Sequence, residues 1–205
     1  MAKGGGFERT ICKRLSLWWS GNKRDDVFWR ATQSGGRATT RAKKGITTAN
    51  SSGDICYLDI EGKLFIDKVI LELKRGYNKK LKILDILDSN NKHFTLITWW
   101  NKIEHERVRQ KRFNNWIIFR RDRKESCLVL TLRHLAEIEQ YNGLWPHSLI
   151  TINHNNISIV IIRFEEFLKW CDPETIKLLS DTAISKTKKI KRRKNVNKRT
   201  QTKKL

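Results

Sequence analysis

The sequence predicts an α/β fold. A helix opens it, with Phe7, Ile11, Leu15 and Trp18 at helical spacing. Two runs of strand composition lie within residues 54–74, DICYLDIEGKLFIDKVILELK, and a long helical pattern follows over 94–112. Strand-like pairs then recur at 116–132 and 149–162, so helices and strands alternate along one chain.

The first helix spans residues 6–20, with Cys12 and Trp19 widening its apolar stripe and Gly21 as a stop. Glu8 lies one turn ahead of Cys12, on the edge of the buried face. Two readings stand for it: a solvated acid favoured by the helix dipole, or a carboxylate aimed at a charged site elsewhere. Residues 25–30 form a short strand or turn. The segment from Ala31 to Gly53 is too long and polar for a mere connector. Ser34, Gly35, Gly36, Arg37, Arg41, Lys43 and Lys44 supply backbone donors and cations suited to phosphates. A solvated loop is the plainer alternative.

Within 54–74, Glu61-Gly62-Lys63 predicts a hairpin turn. Ile60 then faces Leu64 and Asp54 faces Ile70. Alternation puts Ile70, Glu72 and Lys74 on one face and Val69, Leu71 and Leu73 in the core. Asp54 falls diagonally across from Glu72, with Lys74 one step further along. Two carboxylates this close repel unless a cation lies between them, and a hard divalent ion with oxygen ligands suits the position. The plainer reading is a hairpin with one wet, charged face.

Arg75, Lys79 and Lys80 mark a basic turn, and residues 81–87 (LKILDIL) one or two helical turns. The helix over 94–112 carries Trp99, Trp100, Ile103 and Val108 inward, and Lys102, Arg107, Arg109, Lys111 and Arg112 outward. Its Glu104-His105-Glu106 run does not converge on a point, so it reads as a solvated face. Residues 116–121 and 127–132 make a second hairpin, 133–141 a helix ended by Asn142-Gly143, and 149–153 with 157–162 a third hairpin. Helices over 164–171 and 173–179 close the domain, the latter capped by Asp172 with Pro173 in its first turn. From about Ala183 the apolar pattern ends. The expected organisation is one domain over 1–182 and a disordered basic tail over 183–205.

Formal net charge is +22 over 205 residues, which points to a polyanionic partner, most simply nucleic acid. Residues 186–204 hold eleven Lys and Arg and no acid, leaving 22 − 11 = 11 positive charges on the body. Cys12, Cys56, Cys127 and Cys171 form no C-x-x-C pair and sit in apolar segments, so they read as reduced thiols in a cytoplasmic protein. No signal peptide and no apolar run near membrane-spanning length is found, so no membrane partner is expected.

The order helix with acid, loop, Asp-opened strand, E-x-K strand, helix and strand resembles the PD-(D/E)xK nuclease superfamily, most closely its archaeal-type Holliday-junction resolvases. Lys3-Gly4-Gly5-Gly6-Phe7-Glu8-Arg9 is similar to their K-G-x-x-x-E-R opening. Arg30 with Ser34-Gly35-Gly36 resembles their R-x-x-G-S-G loop, with Gln33 where glycine is usual. Gly53-Asp54-Ile55 and Leu71-Glu72-Leu73-Lys74 match the D-[IV] and E-x-K strands. The resemblance covers about residues 3–120. It implies a restriction-endonuclease-like core, decorated here by extra C-terminal hairpins and helices, as suits a phage or mobile-element nuclease.

By that resemblance Glu8, Asp54 and Glu72, with the Leu73 carbonyl, hold Mg²⁺, and Mn²⁺ can substitute. Lys74 orients or activates the attacking water and Ser34 supports the scissile phosphate. Arg9, Arg30, Ser34, Gly35, Gly36, Arg37, Arg41, Lys43, Lys44, Arg75, Lys79 and Lys80 line the DNA. The expected function is Mg²⁺-dependent cleavage of branched DNA by a homodimer. The competitors are a sequence-specific duplex endonuclease on the same core and a non-catalytic basic binder. A purely electrostatic binder has no reason to set Glu8, Asp54 and Glu72 inside a cationic surface, because those acids repel phosphate.

Overall fold

A computed structural model of the chain describes residues 5–31, 51–77, 81, 94–154 and 156–179. Its centre is a five-stranded mixed sheet in the order β4-β5-β6-β8-β7, comprising β4 (Val69–Arg75), β5 (Asn114–Arg120), β6 (Ser126–Thr131), β7 (Ile150–His154) and β8 (Ile157–Arg163). β4 and β5 run parallel with Glu72 beside Ile117 and Lys74 beside Phe119, and every other neighbour is antiparallel. This mixed α/β architecture is compatible with the restriction-endonuclease-like core expected from the sequence.

The parallel pair requires a crossover, and the helix α3 (Thr95–Arg109) provides it. Both faces of β4 are therefore covered, and its four apolar residues, Val69, Ile70, Leu71 and Leu73, fill them. Val69, Leu71 and Leu73 pack toward α1 (Gly5–Trp19), while Ile70 packs with Leu96, Trp99, Trp100 and Ile103 of α3. The predicted alternation along β4 thus holds. Val108, expected in the apolar stripe of α3, is instead 62% exposed near its C-terminal end.

The first core is rich in aromatic rings. Phe65 lies 5.3 Å from Trp19, 5.4 Å from Phe28 and 5.2 Å from Trp116, centroid to centroid. Such pairs add about 0.5–1.5 kcal/mol each beyond the area they bury. Trp18 donates its indole N–H to the Cys171 carbonyl at 2.7 Å and Trp19 donates to the Glu61 carbonyl at 2.9 Å, so neither donor is lost on burial. Buried Ser16 donates to the Cys12 carbonyl and accepts from the Phe28 amide at 2.9 Å, pinning β1 (Phe28–Arg30) onto α1.

The hairpin expected around Gly62 is not formed. Residues Ile60–Gly62 make a 3-10 turn and Lys63–Lys68 a short helix, α2, before β4 begins. Asp59 caps the turn, accepting from the Glu61 amide at 2.9 Å, and Lys63 pairs with Asp67 one helical turn on. Gly62 is needed for packing rather than turning: a Cβ there would sit 2.7 Å from the Phe28 ring and 2.9 Å from Val27. The strand β3 (Ile55–Tyr57) pairs antiparallel with β1 and with β2 (Ser51–Ser52), forming a separate three-stranded sheet. Ile60 therefore does not face Leu64, nor Asp54 Ile70, across a ladder.

Beyond β5 the expectations hold closely. The β5–β6 and β7–β8 hairpins form, and α4 (Leu132–Asn142) ends at Gly143 with φ +79°. α5 (Phe164–Trp170) follows β8, and a last helix over 173–179 begins where Asp172 accepts from the Glu174 amide at 2.9 Å. The predicted apolar segment 82–87, the loop 32–50 and the tail from 180 lie outside the described residues.

Candidate active site

The site begins at Gly53. Its φ is +71°, and a Cβ there would stand 1.9 Å from the Leu71 carbonyl oxygen, so only glycine allows this approach. Gly53 bridges to Leu71 in parallel sense, and the Asp54 amide donates to the Leu71 carbonyl at 2.8 Å. The chain then turns into β3, while the Asp54 carbonyl accepts from Ala31 at 2.8 Å. The Asp54 side chain completes the contact: its Oδ2 accepts from the Leu73 amide at 2.8 Å. In an extended strand the amide and carbonyl of one residue project to the same edge, so the Leu73 carbonyl faces the Asp54 side of β4.

Glu72 and Lys74 stand two residues apart on the α3 face of β4 and form an ion pair. The side chains are 12% and 18% exposed, so both charges are largely withdrawn from water. Lys102 of α3 adds a second cation, its Nζ lying 3.2 Å from the same Glu72 oxygen. Asp54 is pushed up to about 6 by burial, and then by the nearby negative charge of Glu72. Its hydrogen bond from Leu73 and the charge of Lys74 pull the other way, while Glu8 adds to the rise. Proximity of the two carboxylates thus survives the loss of the hairpin that predicted it.

Glu8, on the first turn of α1, is half-buried and lies 3.9 Å from Arg30 of β1. Its field reaches Asp54, yet among the described residues no three His, Cys, Asp or Glu side chains are grouped to hold a metal ion. Cys12 lies below Glu8, its thiol pushed up to about 12 chiefly by burial, which makes it inert as a nucleophile. Arg9 and Arg75 are exposed. Ser34, Gly35, Gly36, Arg37, Arg41, Lys43, Lys44, Lys79 and Lys80 lie outside the described residues. Glu104, set aside as solvated, is held by Arg107 and Asn115.

The donor set present is two carboxylates and a backbone carbonyl, all hard oxygens, and the half-buried Asp54 resists ionising. Such oxygens are the ligand type a hard divalent cation takes, while Glu72 itself is ion-paired with Lys74 and Lys102. Comparison with known families decides which machinery this is: residues 1–178 match the family described as phage putative PDDEXK endonuclease. The chain belongs to that family. Neither a curated protein nor a solved structure matches it. PD-(D/E)xK nucleases generally use divalent metals, in keeping with the oxygen donors around Asp54 and Glu72.

Lys102 is the member of this site that sequence reasoning missed, having been placed on the outer face of its helix. The available signal was positional: the helix after an E-x-K strand must pack on that strand, and Lys102, though exposed, borders buried Ile103 at the edge of the packed stripe. A cavity of about 710 Å³, lined by Lys68, Asn115 and His134 among others, opens at the other end of β4. It begins near Val69, about 10 Å of strand from Glu72, and none of the expected site residues line it. No helix among the described residues is long and apolar enough to cross a membrane.

Proposed function

We propose that this chain is a Mg²⁺-dependent endodeoxyribonuclease acting on branched DNA, with Mn²⁺ able to replace Mg²⁺. The observation that carries the reading is Asp54 held against the edge of β4 by the Leu73 amide while Glu72 and Lys74 project from the same strand. Asp54, Glu72 and the Leu73 carbonyl would hold the cation, with Glu8 completing its surroundings from α1. When bound, the cation supplies Lewis acidity and a lowered pKa for a coordinated water.

The rest of the chemistry belongs to side chains. Lys74, only 18% exposed, is pre-placed to stabilise negative charge developing on the phosphoryl oxygens, where a fixed cation in a dry site is most effective. Arg30 beside Glu8 limits the repulsion that this acid would exert on an incoming phosphate. Ser34 and the cations of the 34–44 loop would grip the phosphate backbone, and branch preference would reside there. The nuclease domain is taken as residues 1–182, with the basic tail 183–205 as a non-specific DNA arm.

One experiment tests the reading: cleavage of a four-way junction, a flap and a linear duplex of equal length in Mg²⁺, by wild type and Lys74→Ala. Preference for the junction, with rate lost more than affinity in the variant, is expected. Equal cleavage of all three would favour a plain duplex endonuclease, and absence of any cleavage by wild type would favour a binding protein.

A further inference from the structure

Lys102 behaves unlike the other cations of α3. Arg107 is tied to Glu104 and Arg109 to Glu106, both within the helix. Lys102 could pair with Glu106 one turn on, a favourable helical spacing. Glu106 is instead engaged by Arg109 and Gln110, and Lys102 reaches across to β4, where its Nζ lies 3.2 Å from Glu72 Oε1. That oxygen already accepts from Lys74. Two ammonium groups on one carboxylate oxygen exceed what neutralising Glu72 alone requires, and Asp54 is the neighbouring acid that shares them.

The two lysines are not equivalent. The side chain of Lys74 is 18% exposed, whereas that of Lys102 is 73% exposed on a four-carbon stem. An ion pair so open to water is weak and breaks readily. Lys74 is therefore a fixed part of the site, and Lys102 a movable one anchored at the rim of a carboxylate pair that suits a divalent cation. A cation seated on Glu72 would repel Lys102, and the nearest favourable destination for a displaced ammonium in a nuclease is a phosphate of the bound strand.

We propose that Lys102 is a substrate-positioning residue that neutralises Glu72 in the free protein and passes to a DNA phosphate when a divalent cation takes its place. This inference rests on the nuclease reading and adds a residue and a hand-over to it.

The test uses the full-length protein and the variants Lys102→Ala and Lys102→Arg. Calorimetric titration of DNA-free protein with Mn²⁺ should show Lys102→Ala binding about fifteenfold tighter, the size expected for removing one unit charge roughly 5 Å from a divalent ion in water. In Ca²⁺, a salt series of duplex binding should give a slope of log K against log salt shallower by about 0.9, one phosphate contact. Lys102→Arg should restore the slope. The proposal requires both changes, and an unchanged Mn²⁺ affinity or an unchanged slope overturns it. Asp54→Asn serves as the independent control: retained Mn²⁺ binding there overturns the metal-site reading itself, whatever Lys102 does.

Discussion

The Leu73 amide donates to Asp54 Oδ2 at 2.8 Å, so a side chain takes the place that a neighbouring strand would fill on that edge of β4. The bond fixes the carboxylate while leaving it half-buried beside Glu72, and desolvation together with that neighbour lifts Asp54 to about 6. Because the folded value exceeds the unfolded one, the protonated acid favours the fold. That contribution is full below about pH 4 and is lost as pH rises through about 6. Asparagine keeps an acceptor for Leu73 without the charge.

Asp54→Asn should therefore be more stable than wild type at pH 7 to 8, by an amount on the order of 3 kcal/mol given an Asp54 lifted to about 6. The difference should shrink toward zero near pH 4. Millimolar Mg²⁺ should narrow it at pH 7 by stabilising only the wild type. DNA cleavage should disappear in Asp54→Asn and in Glu72→Gln while DNA affinity stays level or rises. Thermal melts across pH, run beside a cleavage assay, check all of this. Full cleavage by Asp54→Asn would sink the assignment.

Gly53→Ala isolates the backbone contribution. The added methyl would lie 1.9 Å from the Leu71 carbonyl oxygen at a φ of +71°, so the Gly53–Leu71 bridge must open. The left-handed conformation alone costs an alanine about 1–2 kcal/mol, and the clash adds to it. Asp54 should then leave the Leu73 amide, so cleavage should fall at least tenfold although no charged residue has changed. Chemical denaturation and kinetics on this variant check both; wild-type activity would mean that Asp54 does not depend on this bridge.

The E-x-K strand was legible because β4 is long and buried on both faces, so its alternation survives any choice of partner. The route to Asp54 was not. Leu64-Phe65-Ile66 is a short apolar run whose period fits strand or helix, and the pairing of Lys63 with Asp67 tips it to helix. Asp59 as a cap was the readable clue. Gly53 carried the other half of the answer, since a glycine before a site acid can mark close backbone contact as well as a turn. Lys102 was hidden for another reason: a charged residue flanking a buried helix stripe looks the same in sequence whether it faces water or a carboxylate.

Removing the tail tests how the chain holds DNA. Residues 186–204 carry eleven cations and no acid. If roughly half of them meet phosphates, truncation after Ala183 should reduce the slope of log K against log salt by about 4 to 5. Affinity should fall to a similar extent for junction, flap and duplex, and cleavage at saturating enzyme should persist. Salt series on the two forms measure this; an unchanged slope would assign the tail to some role other than DNA binding.

The last prediction concerns symmetry. One site of this kind cuts one strand, whereas resolving a four-way junction takes paired nicks, which a two-fold dimer delivers with two copies of the site. Among the described residues, β7 pairs on one side only, with β8, so its outer edge can accept a twin strand. Leu149 and Ile150 at its start are 39% and 46% exposed, an apolar pair at a sheet edge where charge is the usual protection against pairing. Antiparallel β7–β7 pairing would join two five-stranded sheets across a two-fold axis. The protein should therefore sediment as a dimer at micromolar concentration, and Ile150→Lys should yield a folded monomer. That monomer should still nick, through Asp54, Glu72 and Lys74, but its cuts in a junction should become uncoupled in time. A wild-type monomer at micromolar concentration, or paired cuts by monomeric Ile150→Lys, would remove the dimer from the mechanism and leave the chemistry of the single site intact.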